Sequence, residues 1–322
     1  MSQTIIRNES LASATVCVVI PFYNRSCFSE RLLWSIRNQT LQPDTIYLVD
    51  NGSSLKEIAS LHATIESIGW GNIEIILIST LKTGNANYAR NLGFELATTK
   101  YVAFLDSDDW WEPNHLATSL DYLSSSKKGA IYSGAIIHKN GIYKNHSIDV
   151  NLLNDPFSIF VSRKGYIAQT SSYIINKEMC QGQKWDETLK RHQDYDFFLS
   201  IYYFGPGWAF SSTPTSNIDW EDGGAKSKPE FRSMVRFLKK WIQHISSGPL
   251  RTYLTNQILL CIRSRSKQKY LNYYLAIGLN KNFNPFIFKA FSCPLAIFAL
   301  SKAYKYREYF HAKSKLLKNI RG

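Results

Sequence analysis

The sequence predicts an α/β domain with a Rossmann-like, mostly parallel sheet flanked by helices, followed by a basic, mainly helical C-terminal extension. Three observations predict it. Short β-branched runs alternate with segments of helical periodicity through the first third of the chain, the pattern of a parallel sheet with crossover helices. Aromatic and carboxylate residues stand directly after several of those runs, where open α/β sheets hold their ligands. The charge is divided: residues 1–224 hold 18 Lys and Arg against 23 Asp and Glu, while residues 225–322 hold 20 against 2.

Each element follows from its local pattern. Residues 16–20 form an apolar run ended by Pro21 and read as a buried parallel strand. Leu32, Leu33 and Ile36 recur at helical spacing over 29–37. A second strand, 45–49, ends at Asp50-Asn51-Gly52-Ser53, and helical spacing returns over 55–68. A third strand spans 73–78, a helix 87–96 and a fourth strand 101–105. Beyond residue 112 the pattern loosens. A helix is expected over 114–125, a hairpin over 129–138 with 142–143, a strand at 171–175 and a helix over 194–203. Residues 216–228 are polar, carry Gly223-Gly224 and read as a mobile loop; from 231 the chain is basic, aromatic and mainly helical.

Composition excludes several classes. With 322 residues, 44% hydrophobic and 20% charged, the chain has the balance of a globular protein and the length to bury a core. Five scattered cysteines with no C-x-x-C argue against zinc fingers and a disulfide framework, and for reduced thiols in a cytoplasmic setting. Residues 1–13 are polar and hold no apolar run of the signal-peptide kind.

The strand ends carry the chemistry. Asp106-Ser107-Asp108-Asp109 follows the fourth strand. Hard divalent cations such as Mn²⁺ and Mg²⁺ take oxygen ligands, and one or two carboxylates plus substrate phosphates suffice for Mg²⁺. The same four residues also suit a plain solvated turn. Pro21-Phe22-Tyr23-Asn24 places an aromatic beside rigid backbone, where it can stack a nucleobase, worth roughly 1–3 kcal/mol, or be buried. Asp50 can accept an imide N–H or cap the following helix. Arg90 lies in a helix expected beneath the same edge, to orient the acids, touch a nucleotide or form a surface ion pair. No G-x-G-x-x-G follows the first strand, which argues against a dinucleotide oxidoreductase.

Five ordered segments resemble the inverting family 2 glycosyltransferases of the GT-A fold: Val18-Val19-Ile20-Pro21-Phe22-Tyr23-Asn24-Arg25, Val49-Asp50-Asn51-Gly52-Ser53, Ala89-Arg90-Asn91-Leu92-Gly93, Phe104-Leu105-Asp106-Ser107-Asp108-Asp109 and His192-Gln193-Asp194-Tyr195-Asp196-Phe197. The resemblance spans about residues 14–205. It implies a nucleotide-sugar donor, UDP-linked, bound by Pro21, Tyr23, Asp50, Arg90, Asp106 and Ser107. It implies Mn²⁺ or Mg²⁺ at Asp108 and a general base at Asp194. Gln193 stands where the family often has Glu. Trp110, Trp111 and His192 are acceptor-side candidates, with a tryptophan in the core and a surface histidine as the other readings. The implied acceptor is a saccharide or lipid-linked saccharide in surface polysaccharide or glycolipid synthesis. A non-catalytic nucleotide-sugar-binding protein on the same fold would keep the donor residues, and donor turnover separates the two.

The basic third differs in character. Residues 283–300 are apolar but interrupted by Lys289 and Pro294, short of the ~20 continuous apolar residues of a membrane span. A helix over about 292–318 would mix aromatics with lysines. That composition suits an anionic membrane surface, and hence a peripheral position on the inner face of the cell membrane; the plainer reading is a basic appendage. No nucleic-acid motif is present.

Overall fold

The computed structural model describes residues 2–6, 16–80, 85–139, 142–145, 147–162, 166–220, 229–264, 268–281 and 283. They form two compact units, Met1–Gly224 and Ala225–Gly322.

In chain order the first unit contains β1 (Ser2–Ile6), β2 (Val16–Phe22), α1 (Ser29–Arg37), β3 (Thr45–Asp50), α2 (Leu55–Ser67), β4 (Glu74–Ser79), α3 (Ala86–Leu96), β5 (Tyr101–Phe104) and β6 (Trp110–Trp111). It continues through α4 (His115–Ser125), β7 (Ala130–Lys139), β8 (Ile142–Asn145), α5 (Ser158–Val161), β9 (Ile174–Asn176), α6 (Gln193–Phe204) and β10 (Trp208–Asp219). One sheet runs β1-β4-β3-β2-β5-β9-β7-β10-β6, with β8 beside β7. Strands β4, β3, β2 and β5 are mutually parallel, and β10 is parallel to β7. The pairings of β1, β6, β8 and β9 are antiparallel.

The parallel block explains the apolar runs. Every residue of β2, β3 and β5 is buried, as it must be when helices cover both faces of a sheet. Val16, Val18 and Ile20 pack with Leu32, Leu33, Leu61 and Leu116 on one face; Cys17 and Val19 pack with Ala89, Phe94 and Phe197 on the other. Helix starts are set by side chains. Ser54 caps α2 by accepting from the Glu57 N–H, and Asn85 caps α3 by accepting from the Asn87 N–H, the usual relief of unpaired helix N–H groups. The chain steps outward from β2 through β3 to β4 and then returns to β5 on the other side of β2. That reversal opens a crevice at the carboxyl ends of β2 and β5.

Two regions differ from the sequence pattern. Residues 216–219 belong to β10 rather than to a loop. The strand escapes periodicity because its buried positions are polar: Ser211, Thr215, Ser216 and Asn217 are each 3% exposed or less. Ser211 Oγ accepts from the Thr213 N–H, and the side chains of Thr215, Ser216 and Asn217 are satisfied by Ser133, His115, Ser171 and Glu112, so burial costs no hydrogen bonds. The expected strand at 171–175 is instead a 3₁₀ turn, Thr170–Ser172, followed by the short β9. The remainder of the expected loop, 221–228, lies outside the described residues.

The second unit contains α7 (Phe231–Trp241), α8 (Ser247–Arg263) and α9 (Gln268–Asn280). Phe231, Met234, Phe237, Leu238 and Trp241 are the buried stripe of α7, at the spacing of an amphipathic helix. Among the described residues no helix is long and apolar enough to cross a membrane. The apolar segment 283–300, Phe283 apart, and the basic helix expected over 292–318 lie outside the described residues.

Candidate active site

A cavity of ≈ 340 Å³ opens at the crevice, and Pro21, Tyr23, Arg90, Asp106, Ser107 and Asp108 all line it. Tyr23 directly follows β2 and is 38% exposed. The following Asn24 takes a left-handed backbone, φ 49°, unusual for a side-chain-bearing residue. Two hydrogen bonds hold it there: its N–H donates to Ser53 Oγ, and its Oδ1 accepts from the Ser54 N–H. The β2 and β3 loops are thereby tied together.

Arg90 is the organising cation. It is 4% exposed, and its guanidinium lies 4.5 Å from the Trp185 ring centroid. One nitrogen donates to Asp106 Oδ1 at 2.6 Å; the other donates to Asn87 Oδ1 at 3.0 Å and reaches Gln193 Oε1 at 3.4 Å. Arg90 therefore joins the β5 acids to the first turn of α6. Its depth is set by Gly93, where a Cβ would come within 2.5 Å of Val19 Cγ1. Only glycine lets α3 press this closely on β2.

The Asp-Ser-Asp-Asp turn is held from below. Asp109 is buried, accepts from Ser171 Oγ at 2.5 Å and accepts from the Asp219 N–H at 3.0 Å. Burial, then the charges of Asp108 and Asp106, push its carboxyl well above the usual range. The Asp106 N–H donates to the same Ser171 Oγ. Asp108 faces the cavity and pairs with Arg25 at 2.9 Å. Burial and the neighbouring Asp106 raise its carboxyl despite Arg25.

Asp106 and Asp108 thus place hard oxygen donors on one wall. Among the described residues no group of three or more His, Cys, Asp or Glu converges on a metal position. A cation completed by diphosphate oxygens needs no third carboxylate. The mutual repulsion that raises Asp108 is what a divalent cation would relieve, so the donor set fits Mn²⁺ or Mg²⁺.

Asp194 lies in the first turn of α6. Burial pushes its carboxyl up to about 6, against the lowering effect of the Tyr195 N–H and of Arg90 and with a small rise from Asp106. His192 precedes the helix in a left-handed conformation, φ 60°. Its ring stacks on Tyr195 at 4.6 Å, and Tyr195 stacks on Phe160 at 4.0 Å. Burial and Arg191 push the imidazole down to about 3, so it is neutral.

Three residues differ from expectation. Asp50 is buried and does not line the cavity; its carboxylate accepts from the Gly52 and Ser53 N–H groups, and Asn51 lines the wall instead. Trp111 is a core residue, 2% exposed, stacked on His115 at 4.4 Å and donating from Nε1 to the Ser171 carbonyl. It is not available to an acceptor. Trp110 already carries the Arg31 guanidinium at 3.8 Å and His138 at 4.4 Å, so it is not an open stacking platform. The nearby exposed tryptophan is Trp220, 40% exposed, whose N–H donates to the His138 carbonyl. Arg25, Asn51 and Asp109 sit inside motifs legible in the sequence; Ser171 carries no sequence signal at all.

The profile of glycosyl transferase family 2 matches residues 17–183, just over half of the chain. The chain belongs to this family. The amylovoran biosynthesis glycosyltransferase AmsB of Erwinia amylovora is 26% identical over 249 residues, covering 73% of this chain and 80% of that protein. The putative colanic acid biosynthesis glycosyl transferase WcaA of Escherichia coli K12 is 24% identical over 231 residues, covering 70% and 80%. Among solved structures, S. aureus TarS 1–349 in complex with UDP-GlcNAc superposes with a TM-score of 0.57 at 16% identity, covering 84% of this chain and 76% of that one. The Pyrobaculum calidifontis mannosyltransferase PcManGT in complex with GDP-Man and Mn²⁺ gives 0.52 at 17% identity, covering 94% and 85%. These neighbours share the GT-A fold with this family 2 glycosyltransferase. Its α6, with Asp194, lies beyond the residues that the family profile matches.

Proposed function

We propose that residues 1–224 catalyse transfer of a sugar from a nucleotide-sugar donor, a UDP-sugar, to a hydroxyl of a saccharide or lipid-linked saccharide acceptor, with inversion, in surface-polysaccharide or glycolipid synthesis. The observation that carries this reading is the Arg90 bridge. One buried guanidinium contacts both Asp106, on the cavity wall, and Gln193, beside Asp194. Donor-side and base-side carboxylates are thus parts of one arrangement. The UDP-GlcNAc and GDP-Man complexes of the structural neighbours, and the polysaccharide roles in the relatives' names, point the same way.

Each residue then has a task. Tyr23 and Pro21 lie against the base, Asn51 borders it, and Asp106 meets the ribose. Asp108 would hold Mn²⁺ or Mg²⁺, and such a cation, when bound, neutralises charge on the departing diphosphate. Asp194 takes the acceptor proton as the hydroxyl oxygen bonds to the anomeric carbon; the bond from that carbon to the diphosphate oxygen breaks, and the nucleoside diphosphate leaves. A carboxyl near 6 is ionised at neutral pH yet more basic than an ordinary aspartate, which suits a general base. His192, neutral and stacked beside it, shapes the acceptor side.

The test is Asp194→Asn assayed with UDP-sugars. Turnover is expected to fall roughly 10²–10⁴-fold, the usual worth of general-base catalysis, with UDP affinity within about twofold of wild type. Near-normal turnover in the variant would remove Asp194 from the reaction and make Asp196 the next residue to test.

A further inference from the structure

Two Arg–Asp pairs stand on the cavity wall, and they are built differently. Arg90–Asp106 is a fixed pair: the guanidinium is buried, and Asn87, Gln193 and the Trp185 ring hold it from other sides. Arg25–Asp108 is a loose one. Its side chains are 38% and 33% exposed, and a single hydrogen bond of 2.9 Å, from Arg25 Nη1 to Asp108 Oδ2, joins them. The Phe28 ring lies 5.5 Å from the guanidinium carbon, a face without a strong acceptor. An ion pair this open to water contributes little to stability.

The loose pair can part without disturbing the turn. The main chain of Asp108 is held separately, by Arg31. Its carbonyl accepts from Arg31 Nη2 at 2.9 Å, and Arg31 is itself fixed by Asp219 Oδ2 at 2.8 Å and by the Trp110 ring at 3.8 Å. On the other side, Arg25 follows Asn24, whose backbone is tied to Ser53 and Ser54. What is left to move is the Arg25 side chain, within a cavity that both residues line.

We propose that Arg25 holds the place of the divalent cation on Asp108 and yields it when the donor diphosphate arrives with its cation. A guanidinium on Asp108 neutralises the same charge that a cation would, so the two compete for one carboxylate. The apparent affinity for a cation alone is then reduced by the fraction of molecules in which Asp108 is free. A diphosphate changes the balance. It supplies further oxygen ligands to the cation, and it gives the displaced guanidinium an acceptor, since arginine pairs with phosphate oxygens as it does with carboxylates. The consequence is an order of binding: cation and nucleotide enter together, and the bare cation binds poorly. What displaces Arg25 rests on the nucleotide-sugar reading; the competition on Asp108 does not.

Titration of Mn²⁺ without nucleotide, followed by the electron paramagnetic resonance of the free ion, and calorimetry of UDP at saturating Mn²⁺ test it on the full chain. Arg25→Gln is expected to bind Mn²⁺ alone roughly tenfold more tightly than wild type, as the competing charge is gone. The same variant is expected to bind UDP at saturating Mn²⁺ about fivefold less tightly, for want of the guanidinium. Arg25→Lys keeps the charge and should stay within about threefold of wild type for Mn²⁺. Arg37→Gln removes the same charge from the far end of α1 and should change neither affinity by more than about twofold. A residue that only shaped the turn would give the opposite first result, since its loss would weaken Mn²⁺ binding. The inference is overturned if Arg25→Gln binds Mn²⁺ alone no more tightly than wild type, or if Arg37→Gln tightens it as much. A wild type that binds Mn²⁺ but no UDP would instead strike the nucleotide-sugar reading, and the hand-over from Asp108 to a diphosphate with it.

Discussion

Asp194 is held at about 6 because burial outweighs the helix N–H and the Arg90 charge that favour its ionised form. Two measurements follow from that number. Turnover should rise with pH and level off above about 6 as the base loses its proton, and this limb should vanish in Asp194→Asn. Stability should move in the opposite direction. The folded chain holds this proton more tightly than the unfolded chain, whose carboxyl titrates near 3.8. The contribution to stability is therefore most favourable below about 4 and is lost as pH rises to about 6. Asp194→Asn should raise the melting temperature at pH 7.5 relative to wild type and leave little difference at pH 4. A variant less stable at both pH values would mean that the carboxylate's hydrogen bonds outweigh its burial. Beneath the cavity, Ser171→Ala should cost about 1–3 kcal/mol, since it leaves the buried Asp106 N–H and the Asp109 carboxyl without their shared partner. Urea denaturation measures this loss, and Asp109→Asn, which keeps the shape and an acceptor for the Asp219 N–H, should cost less.

At the scale of elements, the packing of α3 on β2 decides where Arg90 sits. Gly93→Ala would drive a Cβ into the branched Val19 side chain, and overpacking of this kind costs about 1–3 kcal/mol. Val19→Ala opens the needed space, so the double variant should recover part of the loss, which the denaturation midpoints of the three variants would show. This pair also shows what was legible beforehand. The parallel block β2, β3, β4, β5 and its helices fall within one or two residues of the sequence pattern, because buried parallel strands are apolar throughout and their helices have one apolar face. The six cavity-lining residues read from the motifs, Pro21, Tyr23, Arg90, Asp106, Ser107 and Asp108, come together at one crevice because strand ends are short and fixed by the sheet. The polar strand β10 was not legible, since Thr215, Ser216 and Asn217 are satisfied by Ser133, Ser171 and Glu112, residues distant in the chain. For the same reason Ser171 gave no signal, and the core position of Trp111 could not be separated from an acceptor role by spacing alone. Asp50 illustrates the converse: a turn-forming carboxylate and a ligand-binding one occupy the same kind of sequence, and here the Gly52 and Ser53 N–H groups take it.

At the scale of the whole molecule, two compact units of opposite charge balance make up the chain: the first, with 23 acids to 18 bases, carries the cavity, the Asp-Ser-Asp-Asp turn and Asp194, and the second carries 20 bases to 2 acids. In the proposed reaction the crevice after β2 and β5 binds a nucleoside diphosphate through Asp108 and a divalent cation. Calorimetric titration of UDP into the full chain, with Mn²⁺ and with EDTA, tests it most directly in wild type and Asp108→Asn. Mn²⁺ is expected to tighten UDP binding by at least tenfold in the wild type, and this gain is expected to disappear in the variant. Equal UDP affinity in all four titrations, or no binding in any, would contradict it.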